Sequence, residues 1–244
     1  MAHHRPGSPV RLCRPYIRRG WIVAVAPLFL LACAIAPSGD RELDQAVRHF
    51  NEITFDIAPA HDLRFDDGVR SASVLKWDGP VTASIFGAAA DLSVEDARAT
   101  LSDIAGVTGQ HVAWLPNGSK DANLRIHFTG ERDFVINANE IAGCYAGTNS
   151  SEGRLVEADV YIGLEADGSI ADCMTHEIMH AFGFHGHAQR PTSVLNGFAP
   201  TDDLTPLDRL ALKTLYDPQL LPGMPRDKAL PLARDIIERH LARP

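Results

Sequence analysis

The sequence predicts an α+β fold, with a small mixed sheet leading into one histidine-bearing helix and further helices closing the chain. Three observations carry that expectation. Short alternating, β-branched runs recur between residues 81 and 163. Residues 176–187 read His-Glu-Ile-Met-His-Ala-Phe-Gly-Phe-His-Gly-His. Helical spacing of apolar residues then returns after residue 205.

The elements are expected in the following order. Leu43, Val47 and Phe50 stand at helical spacing and predict a helix over 40–53, after which 54–70 carry no strong period. Trp77-Asp78-Gly79-Pro80 is a turn, and the β-branched alternation of 81–86 predicts a strand. Ser93-Val94-Glu95-Asp96 has the pattern of a capping box and opens a helix to about Ile104. Strands are expected at 112–115 and 123–129, joined through the loop Asn117-Gly118-Ser119. Residues 157–163 form another strand, expected to be the edge on which an extended substrate adds as an extra strand. After the histidine motif, 191–197 is a turn. Thr205-Pro206-Leu207-Asp208 then starts a helix with Thr at the N-cap, Pro at N1 and Asp at N3. Leu207, Leu210, Ala211 and Leu215 make its apolar face, and Asp217-Pro218 ends it. A last amphipathic helix over about 226–242 carries Leu230, Ala233, Ile237 and Leu241, with Pro231 kinking or delaying it.

The N-terminal residues read as a leader. Arg5, Arg11, Arg14, Arg18 and Arg19 form a basic region followed by the uncharged apolar run 21–32, too short to span a bilayer but suited to secretion. The run closes on Leu30-Leu31-Ala32-Cys33, which resembles a bacterial lipoprotein box and makes Cys33 the candidate lipidation site. Cleavage after Ala34 or Ala36 is the alternative. The expected organisation is therefore a signal peptide over 1–32, a tether over 33–40, and one domain over 41–244. The expected location is the cell envelope or periplasm, with a membrane anchor through lipid.

The whole chain carries 23 − 31 = −8, and the leader holds five arginines and no acid, so the remainder carries 18 − 31 = −13. A body this acidic argues against nucleic acid or an anionic membrane surface as partner.

The motif brings metal chemistry. His176 and His180 are four apart and share a helix face, where two imidazoles can take one Zn²⁺. Glu177 lies at the edge of that face and can act as general base on a metal-bound water without being a ligand. Gly183 can leave the helix with positive φ and turn the chain back towards the metal. His185 and His187 follow as candidate third ligands. The competing reading is a buried helix whose apolar side is Met174, Ile178, Ala181 and Phe182 and whose histidines only satisfy core hydrogen bonds.

With Cys13 lost in the leader and Cys33 acylated, Cys144 and Cys173 remain as one pair in an oxidising compartment. A disulfide between them would tie the metal helix to the preceding loop. Two free thiols, or a Cys-Cys-His metal site, are the alternatives.

His176, Glu177, His180 and Gly183, followed by Ser193-Val194-Leu195-Asn196 and Leu204-Thr205-Pro206-Leu207-Asp208, resemble the metzincin-type zinc peptidases over about residues 74–217. That resemblance implies a metzincin-like fold, Zn²⁺ as cofactor, and a peptide or protein substrate hydrolysed with Glu177 as base. It places the third ligand at Gly186, so a one-residue insertion would bring His187 into the role, with His185 second. Leu195 stands where the family has the methionine of its Met-turn. Tyr216 or Tyr145 could stabilise an oxyanion, but no local feature marks either, and a core or surface tyrosine is the preferred reading of both. Trp77-Asp78-Gly79-Pro80-Val81, Leu215-Tyr216-Asp217-Pro218 and Pro222-Gly223-Met224 further resemble a bacterial envelope family of unknown function, whose members often lack the zinc histidines. A non-catalytic envelope lipoprotein with a peptidase-derived fold is the corresponding alternative.

Overall fold

The computed structural model describes residues 38–55, 73–87, 91–129, 134–137, 140–163, 170–189, 193–196, 201 and 203–242. The predicted signal peptide, Cys33 and most of the predicted tether lie outside the described residues. So do residues 56–72, 190–192 and 197–200.

Helix α1 (Ser38–Phe55) begins inside the predicted tether, with Asp40 in its first turn, where the helix dipole favours an acid. Its inward side is Leu43, Ala46, Phe50 and Ile53, all buried. Strand β1 (Val81–Phe86) and strand β3 (Leu124–Thr129) coincide with their alternating runs, and β2 (Val112–Trp114) stops one residue before the expected end. Helix α2 (Asp91–Thr108) starts two residues before the capping pattern, so Ser93 is a first-turn residue rather than the cap. The hairpin of β4 (Phe134–Asn137) and β5 (Glu140–Ala142) forms a separate two-stranded sheet.

Strand β6 (Cys144–Ser151) and strand β7 (Arg154–Gly163) complete the main sheet, whose order is β2-β1-β3-β7-β6. The first four strands run parallel and β6 returns antiparallel to β7. The expectation that 157–163 forms the edge is corrected here: β7 pairs on both sides, with β3 and with β6, and β6 is the edge. The cause is the tight turn at Glu152-Gly153, where φ is 51° and 77°. Positive φ at both central residues is the geometry that folds one strand back directly on the next.

One face of the sheet is apolar: Ala83, Ile85, Leu124, Ile126, Phe128, Ala158, Val160 and Ile162 are buried. Helix α3 (Ile170–Ala181) packs on the β6–β7 end of the sheet and also against α2. Met174, Ile178 and Phe182 fill the space between, each fully buried. Helix α4 (Pro206–Leu215) opens with the expected Thr205 N-cap, and Asp208 at N3 completes a capping box with it. Helix α5 (Arg226–Leu241) carries Pro231 inside it and packs against α1 and α4. Among the described residues no helix is long and apolar enough to cross a membrane.

Segment 73–77 is the seam that joins sheet to helices. Lys76 bonds the backbone of Gly153 and Leu155 on one side, while its ammonium caps the carbonyls of Leu215 and Asp217 on the other. Trp77 donates its indole N–H to the Ala181 carbonyl at the end of α3.

Candidate metal centre

Helix α3 must end sharply for a later histidine to meet its own. The N–H of Gly183 bonds the His180 carbonyl at 2.9 Å and that of Phe184 reaches the Met179 carbonyl at 3.4 Å. This pair of bonds is a Schellman stop, and it needs a left-handed residue at its centre. Gly183 has φ +105°, and a Cβ there would sit 2.1 Å from the Leu75 carbonyl oxygen. Conformation and space both demand glycine. Two further groups seize the carbonyls left over at the helix end: the Trp77 indole takes Ala181, and the Tyr216 hydroxyl donates to Phe182 at 3.1 Å.

The chain then swings His187 back over α3. His176 Nε2 lies 3.0 Å from His180 Nε2 and 3.2 Å from His187 Nε2. All three rings offer nitrogens within 4.8 Å of one another, a group that could hold a metal ion. His185, the second choice for third ligand, is not in this group.

The other ring nitrogens decide what those contacts are. His176 Nδ1 donates to the Val194 carbonyl at 2.7 Å, and His180 Nδ1 donates to the Phe184 carbonyl at 2.5 Å. Both rings therefore carry their proton on Nδ1 and point a lone pair from Nε2 into the shared space. Burial, with the neighbouring imidazole second, lowers His176 to about 4 and His187 to about 3, and pushes His180 well below the usual histidine range. Where His176 and His180 face each other with Nε2 lone pairs, the two neutral rings cannot hydrogen-bond. They are complementary to a cation, and the carbonyls behind them are the partners that orient metal-ligating histidines.

Glu177 is 8% exposed. Burial pushes its carboxyl up to about 8, opposed by a hydrogen bond from the backbone N–H of Ala146 on β6. The strand carrying that N–H is fastened to α3 by the disulfide between Cys144 and Cys173, whose Cα atoms are 5.9 Å apart.

The floor of the site is Ser193-Val194-Leu195-Asn196, all buried. It is held by Asp208, a fully buried carboxylate that sequence reading took only for a helix-capping residue. Besides Thr205, it accepts from Ser193 Oγ at 2.7 Å, Val194 N at 3.2 Å and His49 Nε2 at 3.2 Å. Burial raises its pKa, but the bonds from His49, Ser193 and Thr205 outweigh that and hold it below the ordinary aspartate value. His49 carried no sequence signal, because a lone polar position on an amphipathic helix is indistinguishable from a surface residue.

Tyr216 does not suit the oxyanion role. The Tyr216 hydroxyl accepts from Trp77 N at 3.4 Å while donating to Phe182, so it is spent on scaffold. Tyr145 pairs with Tyr161 in the sheet register, and its ring lies beside Gly147.

Fold and site together define a mixed α+β protein with a three-histidine group able to hold a metal. The chain belongs to the family described as "Protein of unknown function (DUF2927)", whose model matches residues 44–235. No curated protein matches it. Among solved structures it is similar to that of myroilysin, at 13% identity and a TM-score of 0.40, covering 61% of this chain and 97% of that one.

Proposed function

We propose that the protein is a zinc-dependent peptidase of the cell envelope, with His176, His180 and His187 as metal ligands and Glu177 as general base. The observation that carries this reading is the meeting of three imidazoles, two of which, His176 and His180, commit their Nδ1 protons to carbonyls. Tetrahedral zinc with Zn–N of about 2.0–2.1 Å sets ligand nitrogens about 3.3 Å apart. The Nε2 separations of 3.0 and 3.2 Å fit that spacing. The resemblance of His176, Glu177, His180 and Gly183 to the metzincin-type motif supports the same reading.

Zinc held there supplies Lewis-acid polarisation of a substrate carbonyl and acidifies water. Glu177 Oε takes the proton from the attacking water and passes it to the leaving amine. Its raised pKa suits a group that must hold a proton between those two events. The Ala146 N–H orients the carboxylate. The outer edge of β6 offers backbone groups to an extended peptide substrate, in place of the edge first expected on β7. Export and lipid anchoring at Cys33 are proposed from the leader sequence alone.

The test is metal analysis of protein purified without chelator, together with hydrolysis of a peptide library by wild type and Glu177→Gln. Stoichiometric zinc in both, with hydrolysis in wild type only, is the expected result. A second reading is a metal-holding envelope lipoprotein without turnover. It is favoured by the burial of Glu177 and its engagement by Ala146. Zinc in both proteins with hydrolysis in neither would select it.

A further inference from the structure

We propose that α1 is a working part of the metal centre and that its His49 is a positioning residue for His176. The proposal rests on the reading of His176, His180 and His187 as metal ligands.

Helix α1 stands more than a hundred residues before the motif, yet it touches both ends of the ligand loop. The Ile53 carbonyl accepts the N–H of Gly186 at 2.9 Å, and the Glu52 carboxylate receives the N–H of Gln189 at 3.4 Å. His187 lies between those two anchored amides, so the end of α1 sets the height from which its ring descends. One turn earlier, His49 Nε2 bonds Asp208 Oδ1 at 3.2 Å. Asp208 Oδ2 accepts the Val194 N–H at 3.2 Å, and the Val194 carbonyl accepts His176 Nδ1–H at 2.7 Å. An unbroken series of hydrogen bonds thus joins a side chain of α1 to a candidate ligand.

Two arguments say that this series is more than core packing. Apolar residues already serve the inward side of α1, and a buried imidazole there carries a desolvation cost that an apolar residue would avoid. Asp208 also has enough donors for helix capping from Thr205 alone, through both its N–H and its hydroxyl. Together with the Ser193 hydroxyl, which bonds the same Oδ1 at 2.7 Å, His49 fixes the direction of the carboxylate and through it that of Val194. That direction matters chemically. His176 offers its Nε2 lone pair only while Nδ1 keeps the proton, and Nδ1 keeps it only while the Val194 carbonyl is in place.

The test compares wild type with His49→Leu, which keeps volume without a donor, and His49→Gln, whose amide N–H can reach Asp208. Zinc affinity is measured by competition with a chromophoric chelator. The tautomer of His176 is read from ring ¹⁵N shifts in the metal-free proteins. We expect His49→Leu to bind zinc about 10–100-fold more weakly. It should also move part of the His176 population to the Nε2–H form, and His49→Gln should recover most of both losses. Wild-type affinity and an unaltered tautomer in His49→Leu would overturn the proposal. If wild type itself bound no zinc, the metal reading would fail, and the tautomer populations alone would decide the role of His49. Should His49→Leu not fold, His49→Met takes the same comparison.

Discussion

The backbone N–H of Ala146 bonds the carboxylate of Glu177, and this one contact joins the edge strand to the candidate acid–base residue. Two residues before Ala146, Cys144 is bonded to Cys173, three residues before His176. The disulfide therefore holds the register between β6 and α3 at the point where their chemistry meets.

Replacing both cysteines by serine should cost about 3 kcal/mol, because the bridge closes a 29-residue separation in the unfolded chain. Denaturant titration measures the loss. The same variant should retain zinc, since neither cysteine is in the three-histidine group. Loss of zinc from a folded Cys144→Ser/Cys173→Ser protein would contradict that division.

Zinc binding should release a proton from Glu177. The buried histidines are already neutral at pH 7, so they yield none. Glu177, raised to about 8, is mostly protonated in the metal-free protein, and a nearby cation favours its ionised form. Calorimetry in buffers of different ionisation enthalpy should give wild type close to one more proton released than Glu177→Gln at pH 7. The difference should shrink at pH 9, where the carboxyl is ionised beforehand. Equal release from both proteins at pH 7 would refute this.

Gly183→Ala should destabilise the protein by at least about 2 kcal/mol, through positive φ and through collision with the Leu75 carbonyl. A thermal scan should show the midpoint falling by ~5 °C or more. Zinc affinity should fall as well, because His187 depends on the turn at that residue. An unchanged midpoint would mean that the backbone adjusts freely there.

Asp208 predicts how the fold responds to acid. Its folded pKa is depressed, so its contribution is fully present above the unfolded value of about 3.9 and is lost as pH falls through the lower folded value. Asp208→Asn breaks a buried network and should cost about 2–4 kcal/mol at pH 7. Its melting temperature should then vary less than that of wild type between pH 5 and pH 2. Parallel pH profiles for the two proteins would exclude the mechanism.

Much of this molecule was legible in its sequence because local rules coincide with the tertiary outcome. The 3.6-residue period put His176 and His180 on one face, the Thr205 N-cap opened α4, and Gly183 stopped α3. The preference for His187 over His185 rests on the resemblance to the metzincin-type motif with a one-residue insertion, and His187 is the one that groups with His176 and His180. The edge strand was missed because Cys144–Ser151 is rich in Gly, Asn and Ser, with neither alternation nor β-branching to announce it. The two-residue Glu152-Gly153 loop was the available signal. Asp208 and His49 were illegible for a different reason: each is defined by partners far away in the chain, and neither spacing nor composition records such a partner.

The outer side of β6 is an exposed sheet edge. An unpaired strand is a template for a second copy of the same protein, and natural proteins blunt such strands with polar residues and irregularities. Here Asn149, Ser150 and Ser151 are exposed, and the pairing slips between Asn149 and Ser150. Exposed polar residues and a slipped register at the far end of β6 are therefore features that blunt an edge against a second copy.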